Sequence, residues 1–287
     1  MAVSGIRVTD CHIHIHPWRA LAEDVLEVLT RGQENADLLL EIMYDPALLL
    51  RMMDEDGIDR VGLVNYPSPD VMRTGPWINE HAARYASANP ARLLPFGGVH
   101  PRYTTDPEGD VDALIGMGVR MLKLHPNHQE LAANAYTDGL EALGRIYRRC
   151  EERGLPVLVH TGTSIFPRAR CKYGNPLELD DVALDFPDLQ IVLAHGGRPF
   201  YMGEAFFILR RHRNVWFDLS GIPPKSLLDY FPKLAELEHK LLWGTDWPSP
   251  GITRMRTNVD QFMALPLSDA VKRAALETNP ERLLPRR

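Results

Sequence analysis

Eight short runs of apolar and β-branched residues punctuate the chain: Ile6–Asp10, Arg60–Val64, Leu94–Val99, Val119–Leu124, Pro156–His160, Gln190–Ala194, Val215–Leu219 and Leu241–Thr245. Their nearly unbroken apolar character suits strands covered on both faces, as in a parallel sheet. Helical signals lie between them. Asp45-Pro46 offers a cap and a first-turn proline for a helix over Ala47–Asp56, which Gly57 closes. Thr137-Asp138 is expected to cap a helix over Leu140–Arg153, whose Leu140, Leu143, Ile146 and Tyr147 recur at helical spacing. Glu204–Arg211 and Ser226–Tyr230 read as shorter helices, and Thr257–Ala264, Ser268–Glu277 and Pro280–Leu284 as terminal ones. Strands alternating with helices predict an α/β fold, a (β/α)8 TIM barrel forming one domain over residues 1–287. Residues 15–45 and 161–180 are long loops after strands 1 and 5, and the C-terminal helices cover the barrel. No Gly-x-Gly-x-x-Gly follows the first strand, which argues against a dinucleotide fold.

Composition changes this picture little. Hydrophobic residues make up 45% and charged residues 24% of the chain, as expected of a soluble domain with a full core. A formal net charge of −6 argues against a nucleic-acid partner. The arginines 145, 148, 149 and 153 share their helix with Glu151 and Glu152, which reads as a solvated face. Cys11, Cys150 and Cys171 form no paired spacing and fit a reducing compartment. No basic leader opens the chain, and no run approaches the roughly 20 apolar residues of a membrane span. The expectation is a cytoplasmic protein without a membrane partner.

The candidate chemistry sits where apolar runs meet loops. His12 and His14 follow the first run, His160 ends the fifth, His195 follows the sixth and Asp246 the eighth. A parallel barrel delivers catalytic side chains from the C-terminal ends of its strands in this way. By strand parity His12 and His14 point together, toward the barrel axis, while Ile13 and Cys11 point away. Alone, His-x-His fits two hydrogen-bonded polar side chains as well as half of a metal site. With His160 and Asp246 added, three imidazoles and a carboxylate make a ligand set for one Zn²⁺, with a position left for water, and Mn²⁺, Fe²⁺ or Co²⁺ stay open as occupants of a similar cage. His16 shares the parity but precedes Pro17, a turn signal, and is left out of the set. Asp10 either supports His12 or binds backbone.

At these residues the chain resembles the amidohydrolase superfamily, in the amidohydrolase-related branch that includes aminocarboxymuconate semialdehyde decarboxylase. The matching motifs are Asp10-Cys-His12-Ile-His14, Val119-Arg-Met-Leu-Lys123-Leu-His125-Pro, Leu158-Val-His160-Thr-Gly162, Leu193-Ala-His195-Gly-Gly197 and Trp243-Gly-Thr-Asp246-Trp-Pro248, with Leu276-Glu-Thr-Asn279-Pro-Glu-Arg-Leu-Leu284 at the end. The resemblance implies a metal held by His12, His14, His160 and Asp246, and a catalytic role beside it for His195. In binuclear relatives a lysine near the position of Lys123 is carboxylated and bridges two metals; here Lys123 is read as an ordinary ammonium contacting substrate or a carboxylate. Homodimers are common among the relatives.

A Zn²⁺ in this cage lowers the pKa of water toward roughly 7. Asp246 then moves the proton, and His195 orients the water or stabilises an oxyanion. Arg198, Arg168 and Arg170 either recognise a substrate carboxylate or staple loops. Trp18 and Trp247 offer an apolar wall, and His100 and His125 line the mouth or bond structurally. The leading reading is a hydrolase cutting a C–N or C–O bond in a small, carboxylated or cyclic molecule. Two others stay open: a decarboxylase on the same cage, and a barrel that keeps its metal without catalysis.

Overall fold

A computed structural model describes residues 3, 5–33 and 35–286. Eight parallel strands run in sequence order around a barrel: β1 (Val8–Ile13), β2 (Ile58–Val64), β3 (Leu93–Gly97), β4 (Met121–Leu124), β5 (Val157–His160), β6 (Ile191–Ala194), β7 (Val215–Asp218) and β8 (Leu241–Leu242). The ring closes where Cys11 N–H and His14 N–H donate to the Trp243 and Trp247 carbonyls at 2.8 and 2.7 Å, and Asp246 N–H donates to the His12 carbonyl at 2.8 Å. The (β/α)8 barrel expected from the apolar pattern is therefore present.

Alternation along the strands sorts the core into two layers. Leu63, Leu122, Val159 and Leu193 face outward against the helices. Val64, Leu94, Phe96, Met121, Leu158 and Val192 fill the barrel axis. Leu283 and Leu284 join that inner group, and Arg60 Nη2 donates to the Leu284 carbonyl at 2.9 Å, plugging the end opposite the strand C-termini. Burial of both faces explains why each strand reads as a solid apolar run.

Cys11 departs from the parity reading. It packs in the inner group with Val64 and Phe96, on the side that takes His12. The register moves from Asp10↔Val61 to Ile13↔Leu63, so three residues of β1 oppose two of β2. Such an insertion lets neighbouring side chains share a face. The strand also runs on to Ile13 rather than stopping at Asp10.

Several helices form as their signals predict. Asp45 accepts from Ala47 N–H at 2.8 Å to start Pro46–Asp56, and Gly57 ends it at φ 72°. Thr137 and Asp138 do not cap the helix that follows. They belong to a separate turn, Ala135–Asp138, where Thr137 Oγ1 donates back to Asn134 O at 2.8 Å; the helix Glu141–Arg153 starts from Leu140. The expected Ser268–Glu277 and Pro280–Leu284 merge into one winding, Asp269–Arg273, Ala274–Thr278 and Asn279–Leu283, with a wider turn in the middle. Helices Trp77–Ala86, Pro107–Gly116 and Glu178–Asp185 cover the barrel without having been expected. The segment after β1 carries two helices, Glu23–Thr30 and Ala36–Ile42, while residues 161–177 after β5 are irregular apart from the turn Cys171–Tyr173. No helix among the described residues is long and apolar enough to cross a membrane.

Candidate metal centre

At the C-terminal end of the barrel a cavity of about 540 Å³ opens between the strand ends and the loops. His12, His14, Lys123, His125, His160, His195, Arg198 and Asp246 all line it. Within it, three imidazoles converge on one carboxylate in the same manner. His12 Nδ1 donates to Asp218 Oδ2 at 2.5 Å, His14 Nδ1 to the Val64 carbonyl at 2.9 Å, and His195 Nδ1 to the Ser220 carbonyl at 2.8 Å. With Nδ1 protonated, each ring presents an Nε2 lone pair. His12 Nε2 is buried without a hydrogen-bond partner and lies 3.5 Å from Asp246 Oδ1, while His14 Nε2 lies 3.1 Å from the same oxygen. One ligand atom each from His12, His195 and Asp246 falls within 4.8 Å of the other two.

Lone pairs facing a carboxylate oxygen need a positive charge between them, either a second proton on each ring or a metal ion. Burial lowers the pKa of His12, and burial holds His195 down at about 3 despite nearby Asp246, so both rings resist that proton. Burial alone would favour the neutral acid of Asp246, but positive charge at the His14, His195 and His12 positions holds the carboxyl well below its usual range, and with the rings neutral a bound cation would supply that charge. Imidazole nitrogens and an ionised carboxylate, each ring anchored through its other nitrogen, fit a divalent ion well.

His160 stands slightly apart. Its Nε2 donates to its own loop, at Thr163 O (3.1 Å), and its ring stacks on His125 with centroids 3.9 Å apart. The His195 ring lies 4.7 Å from it. The group within 4.8 Å therefore contains His195, expected beside the metal, and leaves out both His14 and His160, expected on it.

His195 and Asp246 both hold left-handed backbone, at φ 68° each. For residues other than glycine this costs of order 1–3 kcal/mol, and such residues gather at functional sites. Gly221 is what their side chains pack around: a Cβ there would lie 2.8 Å from His195 Nδ1 and 3.2 Å from both Arg198 Nη2 and Asp246 Oδ2. The guanidinium of Arg198 is thus held beside the cluster, and its Nε is buried without a partner.

A profile of the family described as Amidohydrolase matches residues 9–286. The chain belongs to the amidohydrolase family. No curated protein matches it. Solved structures share the fold along the whole length of this amidohydrolase. An uncharacterized TIM-barrel protein from Bordetella bronchiseptica is 23% identical, with a TM-score of 0.75 and coverage of 97% of this chain and 98% of its own. A 5-carboxyvanillate decarboxylase from Novosphingobium aromaticivorans, solved with manganese and 3-methoxy-4-hydroxy-5-nitrobenzoic acid, is 17% identical, with a TM-score of 0.71 and coverage of 98% and 97%. A 4-oxalomesaconate hydratase from Rhodopseudomonas palustris is 17% identical, with a TM-score of 0.63 and coverage of 97% and 95%.

Other expected site residues of the amidohydrolase separate clearly. Lys123 is buried on the cavity wall, has no hydrogen-bond partner among the described residues, and is lowered to about 8 by burial, against the pull of Asp218 and Asp246. Arg170 does not reach the cavity and pairs with Glu130 at 2.9 Å. Arg168 binds Asp24 and the Val71 carbonyl, both at 3.0 Å, stapling the loops after β1, β2 and β5. Trp247 is also off the wall: with Asp246 turned inward, it is fully buried in the outward layer, while Trp18 does line the cavity. His100 packs on Tyr103 outside it. Asp10 bolts the first strand to the last through Thr245 N–H (3.0 Å), Thr245 Oγ1 (2.7 Å) and His12 N–H (3.2 Å).

The residue reading missed Asp218, Ser220, Tyr66 and His128. Asp218 ends β7 at an inward position after Trp216, so a polar residue at that parity was the available signal. Ser220 Oγ donates to Asp218 Oδ2 at 2.8 Å and lies 3.0 and 3.1 Å from His12 Nδ1 and His195 Nδ1. Tyr66 and Ser164 hold the buried His128 at 2.9 and 2.7 Å.

Proposed function

We propose that this amidohydrolase is a metal-dependent hydrolase acting on a C–N or C–O bond of a small carboxylated molecule. The observation that carries the reading is the convergence of imidazole Nε2 atoms on Asp246, each ring fixed through its Nδ1. His12, His14, His160 and Asp246 are the proposed ligands, and Zn²⁺ suits their imidazole and oxygen donors. When bound, the ion supplies Lewis acidity and makes water a nucleophile near neutral pH. The closeness of His195 to His12 and Asp246 favours a second assignment, in which His195 replaces His160 on the ion.

The chain's own groups supply the rest. Asp246, kept ionised, takes a proton from the attacking water and delivers it to the departing nitrogen or oxygen. His195, with its Nδ1–H committed to Ser220 O, offers an acceptor that orients the water. Lys123 and Arg198 have no ion-pair partner among the described residues, and Asp246 is the sole acidic side chain described on the cavity wall. Two cations without an ion-pair partner, on a wall with one carboxylate, favour a carboxylate on the substrate.

Metal analysis of the purified protein should find one divalent ion per chain, and a lactone, ester and amide panel should show turnover that a chelator abolishes and added Zn²⁺ restores. Carbon dioxide release, with the panel inert, would instead support decarboxylation, the chemistry named for the 5-carboxyvanillate relative. Ion content of His160→Ala against His195→Ala decides the ligand assignment. Absence of any ion, with indifference to chelator, would overturn the proposal.

A further inference from the structure

The cavity has two chemically different ends. Its floor, at the strand termini, carries the histidines, Lys123 and Asp246. Its upper wall is mixed: Trp18 and Leu29 after β1, Met72 after β2, Phe166 after β5, Ile222 after β7 and Ile252 after β8 alternate with the polar side chains of Thr163, Ser164, Ser249, Asn258 and Gln261. Ile165 stands at the lip, 60% exposed. Trp18, Leu29, Met72 and Ile222 also pack in the core, whereas Ile165 and the half-buried Phe166 and Ile252 keep apolar surface that core packing does not cover. The space is also too large for a carboxylate and its reacting bond alone, since about 540 Å³ falls in the range of drug-sized sites.

From this we infer that the substrate is an amphiphilic acid, with its carboxylate at Lys123 and Arg198 and an apolar chain or ring extending from the reacting bond into the loop-built wall. The inference rests on the carboxylate reading above and adds the second half of the molecule. Burial of each methylene against this wall contributes up to about a fourfold gain in affinity.

Titration calorimetry with acetate, butyrate, hexanoate and octanoate, on protein as purified, tests it without knowledge of the natural substrate. The dissociation constant should fall about two- to fourfold per added methylene. Phe166→Ser and Ile252→Ser should flatten the series, and alcohols of the same lengths should bind more weakly than the acids. A constant that does not change with chain length, a slope untouched by both variants, or no binding of any acid would each overturn the inference. Repeating the series on chelator-treated protein keeps the two readings apart. An unchanged slope there, with no metal-dependent turnover of the intact protein, would sink the hydrolase and leave the apolar wall standing.

Discussion

His12 is fully buried, yet only one of its ring nitrogens has a partner. The carboxylate of Asp218 fixes the tautomer, so Asp218→Asn should weaken metal retention by about 10–100-fold while leaving the fold intact, measured by competition with a chromophoric chelator. Gly221 fills the gap between three site residues at φ 65°. Gly221→Ala should cost roughly 1–2 kcal/mol in denaturant unfolding from backbone strain, and should lower activity further by pushing on His195 Nδ1. At this scale the sequence was partly legible. Histidines and Asp246 at strand ends announce themselves through their chemistry. Asp218 and Ser220 do not, because their function exists only once β7 is brought beside the rings of His12 and His195. The arginines were legible as cations but not as addresses: Arg198 reaches the site, while Arg170 finds Glu130.

Among the elements, the strands were readable because burial on both faces leaves an apolar run whatever the neighbouring connections do. Helix starts were less so. Asp106-Pro107 begins the helix Pro107–Gly116, with Asp106 accepting from Gly109 N–H at 3.2 Å, yet the weak apolar stripe that follows hides it. The irregular segment after β5 is held by Arg168 to Asp24 and Val71, through a half-exposed pair that contributes little to global stability. Arg168→Ala should therefore change unfolding free energy by no more than about 1 kcal/mol, yet speed hydrogen exchange at residues 163–170, because local opening needs only these contacts to break. Glu178, opening the helix Glu178–Asp185, accepts from Ala133 N–H at 2.7 Å, and burial raises its pKa to about 7 from 4.5. The folded state then holds a proton that the unfolded chain has released, so this group costs nothing below pH about 4.5 and costs progressively more stability as pH rises toward 7. Glu178→Gln keeps the acceptor and removes that cost. Denaturant midpoints should coincide at low pH and favour the variant by about 1–2 kcal/mol above pH 7, after allowing for its partial exposure.

Across the whole molecule, the barrel places every candidate ligand at one end and seals the other with Leu283, Leu284 and Arg60. An ion that binds only the folded barrel stabilises it by mass action, about 2.7 kcal/mol at a free concentration one hundred times Kd. Adding Zn²⁺ to stripped protein should raise the thermal midpoint by several degrees, and Asp246→Ala should remove most of that rise. The family was legible from the order of its motifs, and the matching profile over residues 9–286 agrees with it.

The seam between β1 and β8, fastened by Asp10 and Thr245, joins the first strand of the barrel to the eighth. His12 lies on one side of that join and Asp246 on the other, 3.5 Å apart. The whole span from His12 to Asp246 must therefore be synthesised before the two can meet. The proposed metal centre would then be completed only once β8 is in place, and a product truncated before β8 should retain no ion.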